Sequence, residues 1–288
     1  MFSIAEGAET TRQRDGPWKL AAFNIAHGRG GVFGASNWQD RDEVDLERHL
    51  DAIAQQIASS AADVVVLNEA DFDTQWSHRV DQARVIAEKA GYPFVAAQPN
   101  IDVSVPFVSF SFGNAILSRF PLREARAFDF SPWSPLQDLL AGNHDGLFAV
   151  VELPDGPVAV LAVHLEVRSE AVRVECAKQI LALRDETELP LLVAGDFNST
   201  PLGFPGAQRT VDGLNALSLL VGGGFSSAIR ESGDASAHFS FPSAQPEIVI
   251  DWVLASEGVT LVESRVVQST LSDHLMVVAS VVVDQPNG

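Results

Sequence analysis

The sequence predicts an α/β (α+β) fold whose β-sheets are mixed in strand direction. Helical and strand patterns are interspersed along the 288 residues, which is typical of strands joined by helical crossovers. Two other strand segments are separated only by Pro154-Asp155-Gly156-Pro157, and such hairpins pair antiparallel strands. No linker, repeat or shift in composition divides the chain. We therefore expect a single domain over residues 18–284, preceded by a flexible polar lead-in at 1–17.

In the first half of the chain, apolar runs between turn formers predict strands, and near-helical spacing of apolar residues predicts helices. The helices are expected at 42–60 and 76–90. The strands are expected at 18–25, 63–67, 92–97 and 113–117. An unusually apolar segment at 101–112 separates the last two strands, and a loop rich in Pro, Trp and Phe is expected at 128–140.

In the second half, strands predominate. They are expected at 147–153, 158–163, 191–194, 237–241, 248–254, 261–267 and 275–283. Helices are expected at 170–184 and 211–220. The strand at 191–194 is apolar throughout, which is typical of a strand covered on both faces.

The composition indicates a globular and strongly acidic chain. Hydrophobic residues make up 46% and charged residues 20%, and no stretch approaches the roughly 18 consecutive apolar residues of a membrane helix. We expect a soluble monomer, with the cytoplasm as the default location. The formal net charge is -19. Because nucleic-acid binding depends on Lys and Arg contacts to phosphate, nonspecific binding to nucleic acid is not expected.

The chain has one cysteine, Cys176, which excludes an intramolecular disulfide and any multi-cysteine metal site. Cys176 lies in an amphipathic helical pattern. We interpret it as a small core residue rather than a nucleophile.

The end of the strand at 191–194 carries the clearest chemical signal. After Gly195, the side chains of Asp196 and Asn198 point the same way in extended backbone, and Phe197 points back to the core. A carboxylate beside a carboxamide suits a hard cation or a phosphate. The plainer interpretation is a polar turn after a strand.

Polar side chains also end or flank the other predicted strands, and they are carboxylates, amides and histidines. The full set is Asn24, Glu69, His164, Asp196, Asn198, Asp251, Asp273 and His274. Such oxygen-rich ligands favour Mg²⁺ or Mn²⁺ over structural zinc. Each residue also has a plainer interpretation, as a turn former, a solvated strand end or a satisfied core histidine. Asp251 is hardest to explain in that way, because a carboxylate within an apolar strand needs a partner, and His274 is the obvious one.

Short segments around these residues carry a resemblance to a known family. They are Asn24-Ile25-Ala26-His27-Gly28, Leu67-Asn68-Glu69, Gly113-Asn114-Ala115-Ile116-Leu117-Ser118, Val163-His164-Leu165, Gly195-Asp196-Phe197-Asn198, Ile250-Asp251 and Ser272-Asp273-His274. In this order the segments resemble the endonuclease/exonuclease/phosphatase superfamily, which has the deoxyribonuclease I-like fold. The resemblance covers residues 18–283 and implies a four-layer α-β-β-α sandwich of two mixed β-sheets flanked by helices.

The resemblance also implies a divalent-metal-dependent phosphoesterase and a role for each site residue. Glu69, Asn24 and Asp273 would hold Mg²⁺ or Mn²⁺, which polarises a phosphoryl oxygen.

The other roles implied by the resemblance belong to the reaction itself. Asp196 would orient or deprotonate the attacking water, and Asn198 with His164 would donate to non-bridging oxygens. His274, held by Asp251, would stabilise the pentacoordinate phosphorus or assist proton transfer. Which of Asp196 and His274 is the base stays open.

The substrate is open within this class. A phosphodiester is favoured over a phosphomonoester. The apolar segments 101–112 and 128–140 either pack onto the sheets or contact a lipid or other amphiphilic substrate, with peripheral membrane contact. The alternatives are a small-molecule phosphoester, a nuclease of the same fold, or a catalytically silent binding module on this scaffold. His27 lies outside the family's minimal pattern. We expect it to be a surface loop histidine, and contact with substrate or metal is the alternative.

Overall fold

In the computed structural model of the chain, two β-sheets packed face to face form the centre of the fold. The structure describes residues 2–3, 16–30, 42–105, 108–130, 145–229 and 235–284. The greater part of the predicted lead-in at 1–17 and of the loop at 128–140 lies outside these residues.

The first sheet has seven strands, in the order β1-β4-β5-β3-β2-β12-β11. The strands are β1 (Phe2–Ser3), β2 (Trp18–Asn24), β3 (Val64–Asp71), β4 (Phe94–Val105), β5 (Val108–Ser118), β11 (Val259–Val267) and β12 (Met276–Val283). Strands β2 and β3 run parallel, and the other neighbouring pairs run antiparallel.

The second sheet has five strands, in the order β10-β9-β8-β7-β6. The strands are β6 (Leu122–Phe128), β7 (Gly146–Leu153), β8 (Gly156–His164), β9 (Leu191–Asp196) and β10 (Asp251–Ala255). Strands β8 and β9 run parallel within an otherwise antiparallel sheet. Both sheets are therefore mixed, as predicted.

Helices cover the outer face of each sheet. They are α1 (Glu43–Ser60), α2 (Gln82–Ala90), α3 (Glu170–Glu186) and α4 (Ala216–Gly222). Apolar side chains of α1 and α2 pack on the first sheet, and those of α3 and α4 pack on the second. A third apolar cluster fills the space between the sheets, where Leu20 and Val66 meet Val160 and Leu192. The fold is the expected four-layer sandwich.

Some element boundaries differ from the predictions. The helix expected at 76–90 is divided into a 3-10 turn at Gln75–Ser77 and α2, because His78 and Arg79 adopt left-handed backbone with φ of 54° and 59°. The strand expected at 237–241 is wrong, since Ala235–His238 forms a 3-10 turn. Strand β6 was not predicted, because its partly buried and exposed residues show little apolar alternation.

The predicted apolar segment at 101–112 is part of a long hairpin rather than a separate loop. Strand β4 continues to Val105 and β5 begins at Val108. At its inner end, Phe112 packs edge-on against the ring of His27, with a centroid distance of 4.8 Å. This part of the segment therefore packs onto the fold.

Cys176 lies in the cluster between α3 and the second sheet, as predicted, and is 2% exposed. Burial raises the pKa of its thiol to about 12, so little nucleophilic thiolate forms at neutral pH. We expect Cys176 to resist iodoacetamide at pH 8 in the folded protein and to react completely in guanidinium chloride. Mass spectrometry of the alkylated protein measures both states, and rapid labelling without denaturant would contradict the expectation.

No helix among the described residues is long and apolar enough to cross a membrane.

Candidate active site

The polar residues at the strand ends meet at one rim of the sandwich because of strand register. In the first sheet the parallel strands β2 and β3 place Asn24 beside Asn68. In the second sheet β8 and β9 place His164 beside Asp196, and antiparallel β10 places Asp251 on the other side of Asp196. Carboxyl ends of neighbouring parallel strands lie at the same edge of a sheet, so each sheet delivers its polar residues to this rim.

A buried amide connects the two sheets directly beneath the rim. Asn68 donates from Nδ2 to the carbonyl oxygen of Val163 at 2.9 Å and accepts at Oδ1 from the backbone N–H of Asp196 at 3.0 Å. The close approach of Asn68 and Val163 to the backbone of β9 requires glycine at position 195. The φ of Gly195 is 136°, and an added Cβ would lie 2.1 Å from the Val163 oxygen. The position of Asp196 is thus set from both sheets.

Glu69 lies in a bulge of β3, where the pairing with β5 shifts between Leu67 and Ala70. Its backbone is left-handed, with φ of 53°. The carboxylate Oε1 accepts from Asn24 Nδ2 at 3.1 Å and lies 3.7 Å from His164 Nε2. Burial alone would raise the pKa of Glu69. The charges of His27 and His164 and the hydrogen bond from Asn24 outweigh burial and lower the pKa to about 2.

Asp196 lies at the centre of the site and contacts side chains from both sheets. Its Oδ2 accepts from Asn24 Nδ2 at 3.1 Å and lies 3.6 Å from His164 Nε2 and 3.7 Å from His274 Nε2. The residue is 1% exposed. Burial raises the pKa of Asp196; the two histidines act to lower it, and the Asp251 carboxylate acts to raise it.

His274 and Asp251 form a buried hydrogen-bonded pair, as the sequence suggested. His274 Nδ1 lies 3.0 Å from Asp251 Oδ2, which leaves Nε2 directed toward Asp196. Burial acts to lower the pKa of His274. The carboxylates of Asp251 and Asp196 outweigh burial and raise that pKa to about 10. Phe241 packs against the imidazole with a centroid distance of 4.7 Å.

Asn198 and Asp273 complete the predicted set. Asn198 has left-handed backbone with φ of 48°, donates its N–H to Asp196 Oδ1 at 2.8 Å, and donates from Nδ2 to the Leu165 oxygen at 2.9 Å. Asp273 is partly exposed. Burial raises its pKa; His274 opposes this effect and the Glu69 charge adds to it. All eight predicted residues lie at the same rim.

The donor chemistry of this rim fits a divalent metal. Glu69 is ionised at neutral pH, and Asn24 and Asp273 add an amide and a second carboxylate, which are ligands that hard cations prefer. Asp196, Asp251 and His274 form another possible group, with one ligand atom from each within 4.8 Å of the others. In that group His274 Nδ1 already contacts both Asp251 oxygens. In the first group Glu69 Oε1 accepts from Asn24 Nδ2, and Asn24 Oδ1 accepts from the Ala26 N–H, so both groups contain atoms that already have protein partners.

Three contributors to the site were missed from sequence or interpreted wrongly. His27 is not a surface residue, since it is 4% exposed and contacts Glu69 and Asp71. No role was predicted for Asp71, the last residue of β3, although a carboxylate shortly after Leu67-Asn68-Glu69 was a usable signal. Asn68 was named only within the segment Leu67-Asn68-Glu69, and its role depends on a contact with the second sheet that no local pattern reveals.

The sandwich and its rim of carboxylates, amides and histidines define a deoxyribonuclease I-like protein with the architecture of a phosphate-ester hydrolase. The chain belongs to the Endonuclease/Exonuclease/phosphatase family, whose model matches residues 21–274. No curated protein matches the sequence.

Solved structures share the fold over nearly the whole chain. An endonuclease/exonuclease/phosphatase from Beutenbergia cavernae DSM 12333 is 24% identical with a TM-score of 0.69, covering 95% of this chain and 74% of that one. The mannosyl-6-phosphatase Bt3783 of Bacteroides thetaiotaomicron VPI-5482 is 17% identical with a TM-score of 0.64, covering 92% and 99%. The catalytic domain of human Nocturnin, with a bound sulfate anion, is 15% identical with a TM-score of 0.63, covering 94% and 95%. At these identities the likeness establishes the fold alone.

Proposed function

We propose that this chain is a Mg²⁺- or Mn²⁺-dependent phosphoesterase that hydrolyses a phosphodiester by in-line attack of an activated water. The observation that carries the proposal is the convergence on Asp196 Oδ2 of Asn24, His164 and His274, at 3.1, 3.6 and 3.7 Å. A binding module would not need a buried carboxylate beside a histidine that is itself held by a second carboxylate.

In this proposal Glu69, Asn24 and Asp273 hold the metal. When bound, the metal polarises a phosphoryl oxygen and neutralises the negative charge that develops there. Glu69 is suited to this role because its low pKa keeps it ionised at neutral pH. Asn24 Nδ2 donates to both Glu69 and Asp196, which holds the ligand carboxylate and the reacting carboxylate at a fixed separation.

The electrostatics favour Asp196 as the base. A histidine whose pKa is raised to about 10 keeps its proton at neutral pH, so His274 is a poor proton acceptor. Burial raises the pKa of Asp196, which improves its match to a water proton. Asp196 therefore orients the water and takes its proton as the water oxygen bonds to phosphorus and the bond to the leaving ester oxygen breaks. The Nε2–H of His274 stabilises the negative charge that develops on the phosphoryl oxygens.

The remaining residues position the phosphate and the imidazole. Asp251 accepts from Nδ1 of His274, which fixes the orientation of the ring. In this proposal His164 Nε2 and the second amide hydrogen of Asn198 donate to non-bridging phosphate oxygens. The hydrogen bond from Asn198 Nδ2 to the Leu165 oxygen orients that amide.

We propose a small-molecule or lipid phosphodiester as the substrate of a monomeric enzyme. The net charge of -19 argues against a general nuclease, which is the alternative within this fold. Phosphomonoesters also need testing, because one solved neighbour is named a mannosyl-6-phosphatase. Peripheral membrane contact would depend on the β4–β5 hairpin, whose aromatic residues Phe110 and Phe112 pack on Trp76.

We expect hydrolysis of bis-p-nitrophenyl phosphate with Mg²⁺ or Mn²⁺, loss of this activity in EDTA, and recovery after the metal is restored. Release of p-nitrophenol measures the rate, and p-nitrophenyl phosphate tests the monoester. Full activity in EDTA would contradict metal dependence.

A substrate panel then separates the alternatives. It contains phospholipid, sphingolipid, nucleic acid and inositol phosphate, together with flotation on phosphatidylcholine liposomes. Preferred cleavage of DNA or RNA would support the nuclease, and failure on every substrate with both metals would support the silent binding module. Full activity on a soluble diester without liposome binding would remove the membrane proposal.

A further inference from the structure

A second histidine–aspartate pair contacts the site through Glu69, and neither of its members has a role in the proposed reaction. His27 Nε2 lies 3.2 Å from Glu69 Oε2, and His27 Nδ1 lies 2.7 Å from Asp71 Oδ1. The other oxygen of the same carboxylate, Oε1, accepts from Asn24. Glu69 is thus held at both oxygens by different partners.

We propose that His27, held by Asp71, is a positioning residue that orients the Glu69 carboxylate for a divalent cation. This inference rests on the proposed function, in which Glu69 is a metal ligand. From the sequence, His27 was expected at the surface, and no motif assigned to the reaction includes Asp71.

The backbone explains why Glu69 needs such a support. Glu69 lies in the bulge of β3 with left-handed φ, so the regular alternation of the strand does not fix the direction of its side chain. His27 has the same kind of backbone, with φ of 54°. Non-glycine residues keep this conformation when surrounding contacts hold them there, and such residues concentrate at functional sites.

The surroundings of His27 fix its ring rather than expose it to substrate. The fully buried Asp71 accepts from Trp76 Nε1 at 2.9 Å as well as contacting His27. Gln82 donates to the backbone oxygen of His27 at 2.9 Å, and the ring of Phe112 packs edge-on against the imidazole. A histidine that is 4% exposed and held in this way has little access to a reacting phosphate. Its action on the reaction is therefore through Glu69.

The arrangement matches a general feature of metal sites, in which a group beyond the ligands orients a ligand carboxylate. Loss of such a partner typically weakens metal affinity about 10- to 100-fold. A positioning role thus predicts a change in metal binding. A catalytic role would instead change the turnover rate at saturating metal.

The experiment measures Mn²⁺ affinity by electron paramagnetic resonance of the free ion, and kcat on bis-p-nitrophenyl phosphate at saturating Mn²⁺. For His27→Ala we expect Mn²⁺ binding about 10- to 100-fold weaker and kcat within about threefold of wild type. His27→Gln should recover part of the affinity, because the glutamine amide can still donate to Glu69. Asp71→Asn should weaken binding less than His27→Ala.

Matched variants make each outcome decisive. His78→Ala removes an exposed histidine that has the same φ of 54°, and it should bind Mn²⁺ as wild type does. Wild-type Mn²⁺ affinity in His27→Ala, or an unchanged affinity with a large loss of kcat, would overturn the inference. If His27→Ala does not fold, the test uses His27→Gln and Asp71→Asn instead. Wild-type Mn²⁺ affinity in both of these variants would overturn the inference.

The Glu69→Gln variant distinguishes a failure of the His27 inference from a failure of the proposed metal dependence on which that inference rests. If wild type binds Mn²⁺ and Glu69→Gln does not, the metal assignment stands, and the His27 variants are judged alone. If wild type does not bind Mn²⁺, the proposed metal dependence fails, and the inference fails with it.

Discussion

Asp196→Asn is expected to lower the rate of phosphodiester hydrolysis about 10²-fold or more, because the amide cannot accept a proton from the attacking water. The substitution preserves the shape of the side chain, and its single amide oxygen can still accept from the Asn198 N–H, while the hydrogen bond from Asn24 Nδ2 is lost. Initial rates on bis-p-nitrophenyl phosphate at saturating Mn²⁺ measure the effect. His274→Ala should show a loss of similar size.

The Asp196→Asn substitution should lower the rate of hydrolysis without markedly lowering the thermal stability of the protein. Since burial raises the pKa of Asp196 in the folded protein, its ionised form is less favourable there than in the unfolded chain. This destabilisation is present at neutral pH and disappears as the pH falls below the unfolded-state pKa. The neutral asparagine removes this penalty, which offsets the lost hydrogen bond from Asn24, so its unfolding temperature should stay close to that of wild type. Asp155→Asn, at the exposed turn between β7 and β8, should keep full activity. Near-wild-type rates in Asp196→Asn would refute the assigned role.

Arg173→Met is expected to lower the free energy of unfolding by about 3–5 kcal/mol, because it leaves a buried carboxylate without its partner. The side chains of Arg173 and Glu170 are 0% and 4% exposed and are paired at 2.8 Å. Arg173 also donates to the Glu166 backbone oxygen at 2.6 Å and to Gln208 at 2.7 Å. Glu170 accepts from Ser199 at 3.0 Å, so the pair anchors the loop that follows Asn198.

Urea denaturation followed by circular dichroism measures this loss. Lys178→Met is the matched control, because Lys178 pairs with Glu175 on the same helix but at the surface, and exposed pairs contribute about 0–1 kcal/mol. The double variant Glu170→Gln with Arg173→Met should lose less stability than Arg173→Met alone, since the unpaired charge is gone. Equal losses in Arg173→Met and Lys178→Met would show that the buried pair does not stabilise the fold.

Much of the fold follows from local pattern. The spacing of Leu46, Leu50, Ile53 and Ile57 predicted α1, and all four residues are buried in the outer core. The apolar strand at 191–194 is covered on both faces, as its sequence indicated. Strand β6 and the break before α2 escaped prediction. The edge strand β6 is only partly buried and shows no regular apolar alternation. Left-handed backbone at His78 and Arg79 is not signalled by glycine.

The candidate site also has features that the sequence predicted and features that it did not. The residue types and the family resemblance predicted Asp196, Asn198, His274 and their companions as candidate site residues. The pairing of His274 with Asp251 followed from the unfavourable burial of a lone carboxylate. By contrast, the prediction that His27 lies at the surface was wrong, because the residue is buried. Its environment depends on Asp71 and Phe112, which lie on strands of the first sheet more than 40 residues away in sequence.

The sequence by itself determined the alternation of strands and helices, the family, and the chemical types of the site residues. These depend on side-chain spacing and on short motifs, which are local properties of the chain. Only the tertiary structure decided which oxygen of Glu69 meets which donor, that Asn68 connects the two sheets beneath Asp196, and how burial and neighbouring charges shift the pKa of each group. The physical reason is that electrostatic interactions and hydrogen bonds depend on distances of a few ångströms, and strand register sets those distances between residues far apart in sequence.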